Sequence, residues 1–181
     1  VGVVGRGVEV RDAAFERVPD RVLEQLIATH AGLPPEARRR VHIASLPMDD
    51  HGENAAMVNA IQRHATVIVQ KSLAEGFGLT VAEAMWKSRA VVASRVGGIQ
   101  DQILNGSGVL LDDPSDLAAY GDAVATLLED PARIERMGKA AHERVRAGFL
   151  GARHLIQYLE LFGRLIRARS GAVITEHQYD S

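Results

Sequence analysis

The chain has 181 residues, 46% of them apolar and 24% charged, with a formal net charge of −2, which is the composition of an ordinary single globule long enough to bury a core. That charge removes the electrostatic basis for binding nucleic acid or an anionic membrane, and no apolar run approaches the ~20 residues that span a bilayer. The absence of cysteine excludes disulfides and thiolate metal sites, and makes the reducing cytoplasm the expected compartment.

The start, Val1-Gly2-Val3-Val4-Gly5-Arg6, has neither an initiator Met nor the charged-then-apolar order of a signal peptide, and reads as an internal start. Val1 to Val4 and Val8 to Val10 are short β-prone pieces. From Ala14 to Thr29 the residues Phe15, Val18, Val22, Leu23, Leu26 and Ile27 recur at helical spacing, predicting a helix with one buried face. Pro19 lies inside that pattern, which moves the helix start to about Asp20. After the breaker Gly32-Leu33-Pro34-Pro35, the run Arg38-Arg39-Arg40 reads as a solvated rim rather than a phosphate site.

Val41 to Leu46 reads as a buried strand closed by Pro47, and about Glu53 to His64 as a helix. The loop between them holds Asp49-Asp50-His51-Gly52-Glu53. Glycine-broken acidic loops are usually just hydrated, so no metal is expected. Thr66 to Gln70 is the central strand, Thr80 to Lys87 a helix and Ala90 to Ser94 a strand, and Gly97-Gly98 turns into a short helix through Ile103. Asn105-Gly106 marks a turn before a strand from Gly108 to Leu111. Asp113-Pro114 and Asp130-Pro131 each place an N-cap before a proline at the first helical position. The first opens a helix with Leu117, Tyr120, Val124, Leu127 and Leu128 on its apolar face, and the second a helix through about Ala147. A last helix, Ala152 to Arg169, carries Leu155, Leu159, Phe162, Leu165 and Ile166 along one side, and the residues from Ala172 are expected to be loose.

The alternation of strand and helix predicts an α/β fold: a Rossmann-like parallel sheet with helices on both faces, followed by an all-helical C-terminal extension. The expected divisions are a diverged, partial strand–helix unit over 1–40, an α/β core over 41–112, C-terminal helices over 113–169 and a tail over 170–181. In such sheets ligands bind outside the carboxyl ends of the strands, and two glycine-bearing loops, one before Thr80 and one at Gly97-Gly98, lie there.

The first of these loops draws the chemistry together. In Ser72-Leu73-Ala74-Glu75-Gly76-Phe77-Gly78-Leu79-Thr80-Val81-Ala82-Glu83-Ala84-Met85, two glycines flank a phenylalanine and two carboxylates stand eight positions apart. Glycine lets the backbone approach a ligand closely, and a helix that opens after such a loop aims its unpaired N–H groups at the occupant. Ionised carboxylates only accept hydrogen bonds, which suits a ligand with several hydroxyl donors, such as a sugar. Spacing alone also offers a capping box, with Thr80 as N-cap and Glu83 at the third helical position. Glu75 is not placed to cap that helix. Phe77 serves the shape of the loop, so its backbone is the part that matters.

Glu75-Gly76-Phe77-Gly78-Leu79 with Glu83 resembles the E-x7-E signature of retaining glycosyltransferases of the GT-B fold. Val41-His42-Ile43-Ala44-Ser45-Leu46-Pro47, Val58 to Ala65, Gln70 to Ala74, Ala84-Met85-Trp86-Lys87 and Val96 to Ile103 are similar to trehalose synthases of the glycosyltransferring type, from about Val41 to about Arg169. The resemblance implies the C-terminal, donor-binding lobe of such an enzyme, with 41–112 as its nucleotide-sugar-binding core. It implies that Glu75 contacts the transferred sugar, that backbone N–H groups of Gly76, Phe77, Gly78, Leu79 and Thr80 bind sugar and phosphate, and that Glu83 binds the ribose. It places the nucleotide base at Leu46 and Met48. The implied reaction joins glucose from a nucleoside diphosphate-glucose to free glucose with retention of configuration. It involves no tightly bound cofactor, and Mg2+ only in solution.

The resemblance further implies an Arg and a Lys clamping the diphosphate in the lobe's first strand–helix segment. Arg6 is the only candidate arginine near a strand end, and its surroundings do not match. The expectation is therefore that the first unit of the lobe and the acceptor-binding N-terminal lobe are missing. The 181 residues alone would then be inactive, and the last helix, lacking its partner, would favour homo-oligomers. Another retaining glycosyltransferase or a disaccharide phosphorylase on the same lobe stays open, as does a non-catalytic nucleotide-sugar-binding or docking module. A flavodoxin- or receiver-like domain is the weakest reading, because no acidic strand-end cluster or flavin loop can be assembled.

Overall fold

The computed structural model describes residues 2–4, 20–44, 46–47, 49–104 and 106–176. Three parallel strands, β2 (Val67–Gln70), β3 (Ala90–Ser94) and β4 (Val109–Leu111), form the body of one sheet, and β1 (Gly2–Val4) pairs antiparallel along the free edge of β2. The helices are α1 (Asp20–Ala31), α2 (Pro35–Arg38), α3 (His51–His64), α4 (Leu79–Trp86), α5 (Ile99–Gln102), α6 (Leu117–Glu129), α7 (Pro131–Gly148) and α8 (Gly151–Glu176).

Period-two alternation in β3 divides the core. Val91 and Ala93 face α4, α5 and α7 in a cluster with Ile68, Val81, Met85, Ile99 and Val145, whereas Ala90 and Val92 face α6 and the start of α7 with Val67, Tyr120, Leu127 and Met137. Helices therefore cover both faces of a Rossmann-like sheet, as expected. On the second face a buried hydrogen bond of 2.7 Å joins the Ser94 and Tyr120 hydroxyls, so neither polar group is stranded.

Several local expectations are corrected. Val41 to Leu46 is not a strand: none of its described residues joins the sheet, and Val41 is 43% exposed. The edge of β2 is already occupied by β1, in the register Gly2 to Val69 and Val4 to Val67, so β2 has no free ladder for a second neighbour. Helix α1 begins at Asp20, as Pro19 requires, but Leu26 and Ile27 on its apolar side are about half exposed. Asp113 does not cap a helix. Its carboxylate accepts from Ser115 N–H in a turn, and α6 starts later, capped by Asp116 through Ala119 N–H. Leu117 and Leu128, expected on the buried face of α6, are exposed. The Asp130-Pro131 start is as expected, with Asp130 accepting from Arg133 N–H.

Helix α8 continues to Glu176, beyond the expected end at Arg169. Its apolar stripe is present but open, since Leu155, Leu159, Phe162, Leu165 and Ile166 are each more than half exposed. The arginine run is a solvated rim, with Arg39 paired to Glu36 and all three arginines exposed. Asp50 caps α3 by accepting from Gly52 and Glu53 N–H. Val8 to Val10, Phe15 and Val18 lie outside the described residues. Among the described residues no helix is long and apolar enough to cross a membrane.

Helix α7 reaches α4 through a glycine. A Cβ on Gly138 would lie 2.2 Å from the Ser88 carbonyl oxygen, in the turn after α4 where Ser88 itself has φ 58°. A backbone atom cannot step aside as a flexible side chain can. Gly138→Ala should therefore lose about 1–2 kcal/mol net of stability, because overpacking outweighs the gain in helix propensity. Chemical denaturation reads the difference, and an unchanged or raised midpoint would count against the close α4–α7 approach.

Candidate functional site: the loop between β2 and α4

Because β2 and β3 run parallel, their carboxyl ends share one rim of the sheet, and the loops that follow them meet there. The Gly98 N–H donates to the Gly76 carbonyl at 2.8 Å, and the buried Gln102 side-chain amide donates to the Phe77 carbonyl. Gly97, at φ +48°, comes so close that a Cβ there would lie 1.7 Å from the Glu75 carbonyl oxygen, and one on Gly98 would lie 2.8 Å from the carbonyl oxygens of Gly76 and Phe77. The carbonyls of residues 75–77 are thus all turned to the Gly97-Gly98 side.

The amides are disposed differently. Gly76 N–H donates to the carboxylate of Glu75 at 3.1 Å. The N–H groups of Phe77, Gly78, Leu79 and Thr80 have no acceptor among the described residues, since the first bonds of α4 run from Val81 and Ala82 to the Gly78 carbonyl. Gly78 is the N-cap, at φ 87° and ψ 52°, a left-handed conformation in which a Cβ would also strike Ile99 at 2.7 Å. Four unpaired N–H groups at the positive end of a helix are suited to an anion.

The capping box between Thr80 and Glu83 does not form. The cap is Gly78, Thr80 lies within the first turn, and no side chain caps the helix. Glu83 instead faces α3. Its carboxylate accepts from Gln62 Nε2 at 3.4 Å, and Lys87, one turn further along α4, donates to Gln62 Oε1. Burial pulls the Lys87 ammonium below the ordinary lysine value; Glu83 pushes the other way, and Arg63 adds to the lowering.

Phe77 is 45% exposed, and its ring meets Phe149 edge-on at 6.0 Å. The guanidinium of Arg144 sits over Phe149 and donates to the carbonyls of Asp101 and Gln102 at the end of α5. The ring thus links the loop to the junction between α7 and α8. Leu46 lies half-buried in an irregular connection, not at a strand end, and Met48 and Arg6 lie outside the described residues. Gln62, Gln102 and Phe149 carry no local signal, since their partners are remote in sequence and only the packing brings them together. Among the described residues no group of three or more His, Cys, Asp or Glu side chains could hold a metal ion.

This rim, with its glycine loop and helix start, belongs to a Rossmann-like sheet of the kind found in GT-B glycosyltransferases. The chain belongs to the glycosyl transferases group 1 family, whose model matches residues 47–144. It is 52% identical over 112 residues to the trehalose synthase of Rubrobacter xylanophilus, covering 62% of this chain and 26% of that protein. It is 44% identical over 115 residues to the trehalose synthase of Pyrococcus horikoshii, covering 63% and 27%. To the D-inositol 3-phosphate glycosyltransferase of Pseudarthrobacter chlorophenolicus it is 36% identical over 149 residues, covering 78% and 36%. Among solved structures, sucrose-phosphate synthase from Thermosynechococcus elongatus superposes with TM-score 0.63 at 29% identity, over 82% of this chain and 34% of that one. HepE from Anabaena, solved with UDP-glucose, superposes with TM-score 0.62 at 22% identity, over 80% of this chain and 36% of that one, a likeness of fold alone. The chain spans about a quarter of the length of the trehalose synthases it matches.

Proposed function

We propose that this chain is the donor-binding lobe of a retaining, cytoplasmic glucosyltransferase that makes trehalose from a nucleoside diphosphate-glucose and glucose. The observation that carries this reading is the row of unpaired N–H groups from Phe77 to Thr80, with Glu75 before it and Glu83 just inside the helix. Identity of 44–52% to trehalose synthases across this region supports the choice of reaction.

In this reading the amides and the positive end of α4 receive the diphosphate and offset its charge as it leaves. Glu75 orients the glucosyl ring and favours the positive charge that develops at its anomeric centre. The acceptor attacks from the face the diphosphate vacates, so no covalent enzyme intermediate is needed, and the protein supplies position and electrostatics. Glu83 accepts from the ribose hydroxyls, and the base falls to the segment that contains Leu46. The acceptor side belongs to a second lobe, packed on the open apolar face of α8. No metal or organic group is held by the lobe itself.

The test is trehalose formation by the longer protein carrying this chain, assayed with several nucleoside diphosphate-glucose donors and with glucose as acceptor. Absence of trehalose with every donor would refute the reading. The 181 residues alone are expected to show no transfer, and turnover by them would overturn the placing of the acceptor site elsewhere. The longer match to D-inositol 3-phosphate glycosyltransferases favours one second reading, a retaining transferase of the same lobe with a different acceptor. An acceptor panel that includes an inositol phosphate, run with and without inorganic phosphate, separates it and also exposes a phosphorylase.

A further inference from the structure

Gln62 is a fully enclosed polar side chain, 2% exposed, on a helix that the E-x7-E motif does not include. Water cannot serve its amide there, so protein groups have to satisfy both ends. Both partners come from one face of α4, where Glu83 and Lys87 stand four residues apart. An ammonium group only donates and a carboxylate only accepts. Lys87 therefore has to take Oε1, which leaves Nε2 turned to the Glu83 carboxylate, and the amide has a single workable orientation.

We propose that Gln62 is a positioning residue for the nucleotide ribose, acting through the Glu83 carboxylate. The proposal rests on the reading of Glu83 as the ribose ligand. Although it faces α3, the Glu83 side chain is exposed, and an unassisted carboxylate there would sample several rotamers and lose that freedom on binding. A buried neutral amide holds one carboxylate oxygen without quenching its charge and leaves the other oxygen to accept from vicinal hydroxyls. Lys87 fixes the amide from behind. The pair thus extends the ribose site from α4 to the last turn of α3.

The test is an NMR titration of the 181-residue chain with millimolar UDP and ADP, each compared with its 2′,3′-dideoxy counterpart. The chain as it stands should bind at least one ribose nucleotide about 10-fold more tightly than the dideoxy form, and Glu83→Ala should abolish that preference. Gln62→Met, which keeps the length and removes both polar ends, should reduce the preference about 3- to 10-fold, with dideoxy affinity unchanged and no further effect in the Glu83→Ala background. If neither nucleotide shows the ribose preference, or Glu83→Ala retains it, the ribose reading falls and takes this proposal with it. If Glu83→Ala abolishes the preference but Gln62→Met leaves it intact, or weakens ribose and dideoxy forms equally, only the role of Gln62 is overturned. Should Gln62→Met not fold, Lys87→Met frees the amide from the partly exposed side. It is expected to reduce the ribose preference in the same direction, and an unchanged preference overturns the proposal.

Discussion

Glu75→Gln, introduced into a two-lobed protein that contains this chain, should lower turnover by ~10²-fold or more, equivalent to about 2.7 kcal/mol of transition-state stabilisation. The substitution is selective. Among the described residues the Glu75 carboxylate makes one hydrogen bond, accepting from the adjacent Gly76 N–H, and the carbonyl oxygen of a glutamine can accept the same bond. The loop conformation is otherwise held by the Gly98 and Gln102 contacts to the carbonyls of Gly76 and Phe77, which the substitution does not touch. What changes is the negative charge that the proposed mechanism sets beside the glucosyl ring. Turnover should therefore fall while the denaturation midpoint stays put. A rate within a few-fold of the parent would remove Glu75 from the chemistry, and a fall in stability matching the fall in rate would make its role structural.

Gly97→Ala should be the most damaging single-methyl change at the site, lowering stability by about 2–5 kcal/mol. Two costs combine. At φ +48° an alanine enters the left-handed region, which costs roughly 1–2 kcal/mol. The added Cβ would also lie 1.7 Å from the Glu75 carbonyl oxygen, an atom of the facing loop's own backbone. Relief requires the two loops to separate, breaking the Gly98–Gly76 hydrogen bond, with an overpacking cost of about 1–3 kcal/mol. Against a total of roughly 5–15 kcal/mol for a domain, this is a large loss. It appears as a lower denaturant midpoint at unchanged slope, and nucleotide binding should weaken with it because the amides of residues 77–80 move. A midpoint equal to the parent's would contradict the close packing of the two loops. Gly76, in the facing loop, makes the contrast: a Cβ there meets nothing within 4 Å.

Features under local chemical control were readable from the residues alone. Alternation and β-branching located β2, β3 and β4, Pro19 placed the start of α1, and Asp130-Pro131 placed that of α7. The glycine loop before α4 and the E-x7-E spacing were legible because a tight turn, a helix start and an eight-residue interval are all short-range features. The tertiary structure decided whatever depends on a partner distant along the chain. Val41 to Leu46 has strand-like residues yet forms no ladder, because β1 holds the edge of β2. Thr80 and Glu83 have capping-box spacing, but close packing against Ile99 selects Gly78 as the cap, and Gln62 on α3 takes the Glu83 carboxylate. Residue propensity biases a segment toward helix or strand, whereas hydrogen-bond partners and free edges are shared among elements and only the assembled sheet allots them.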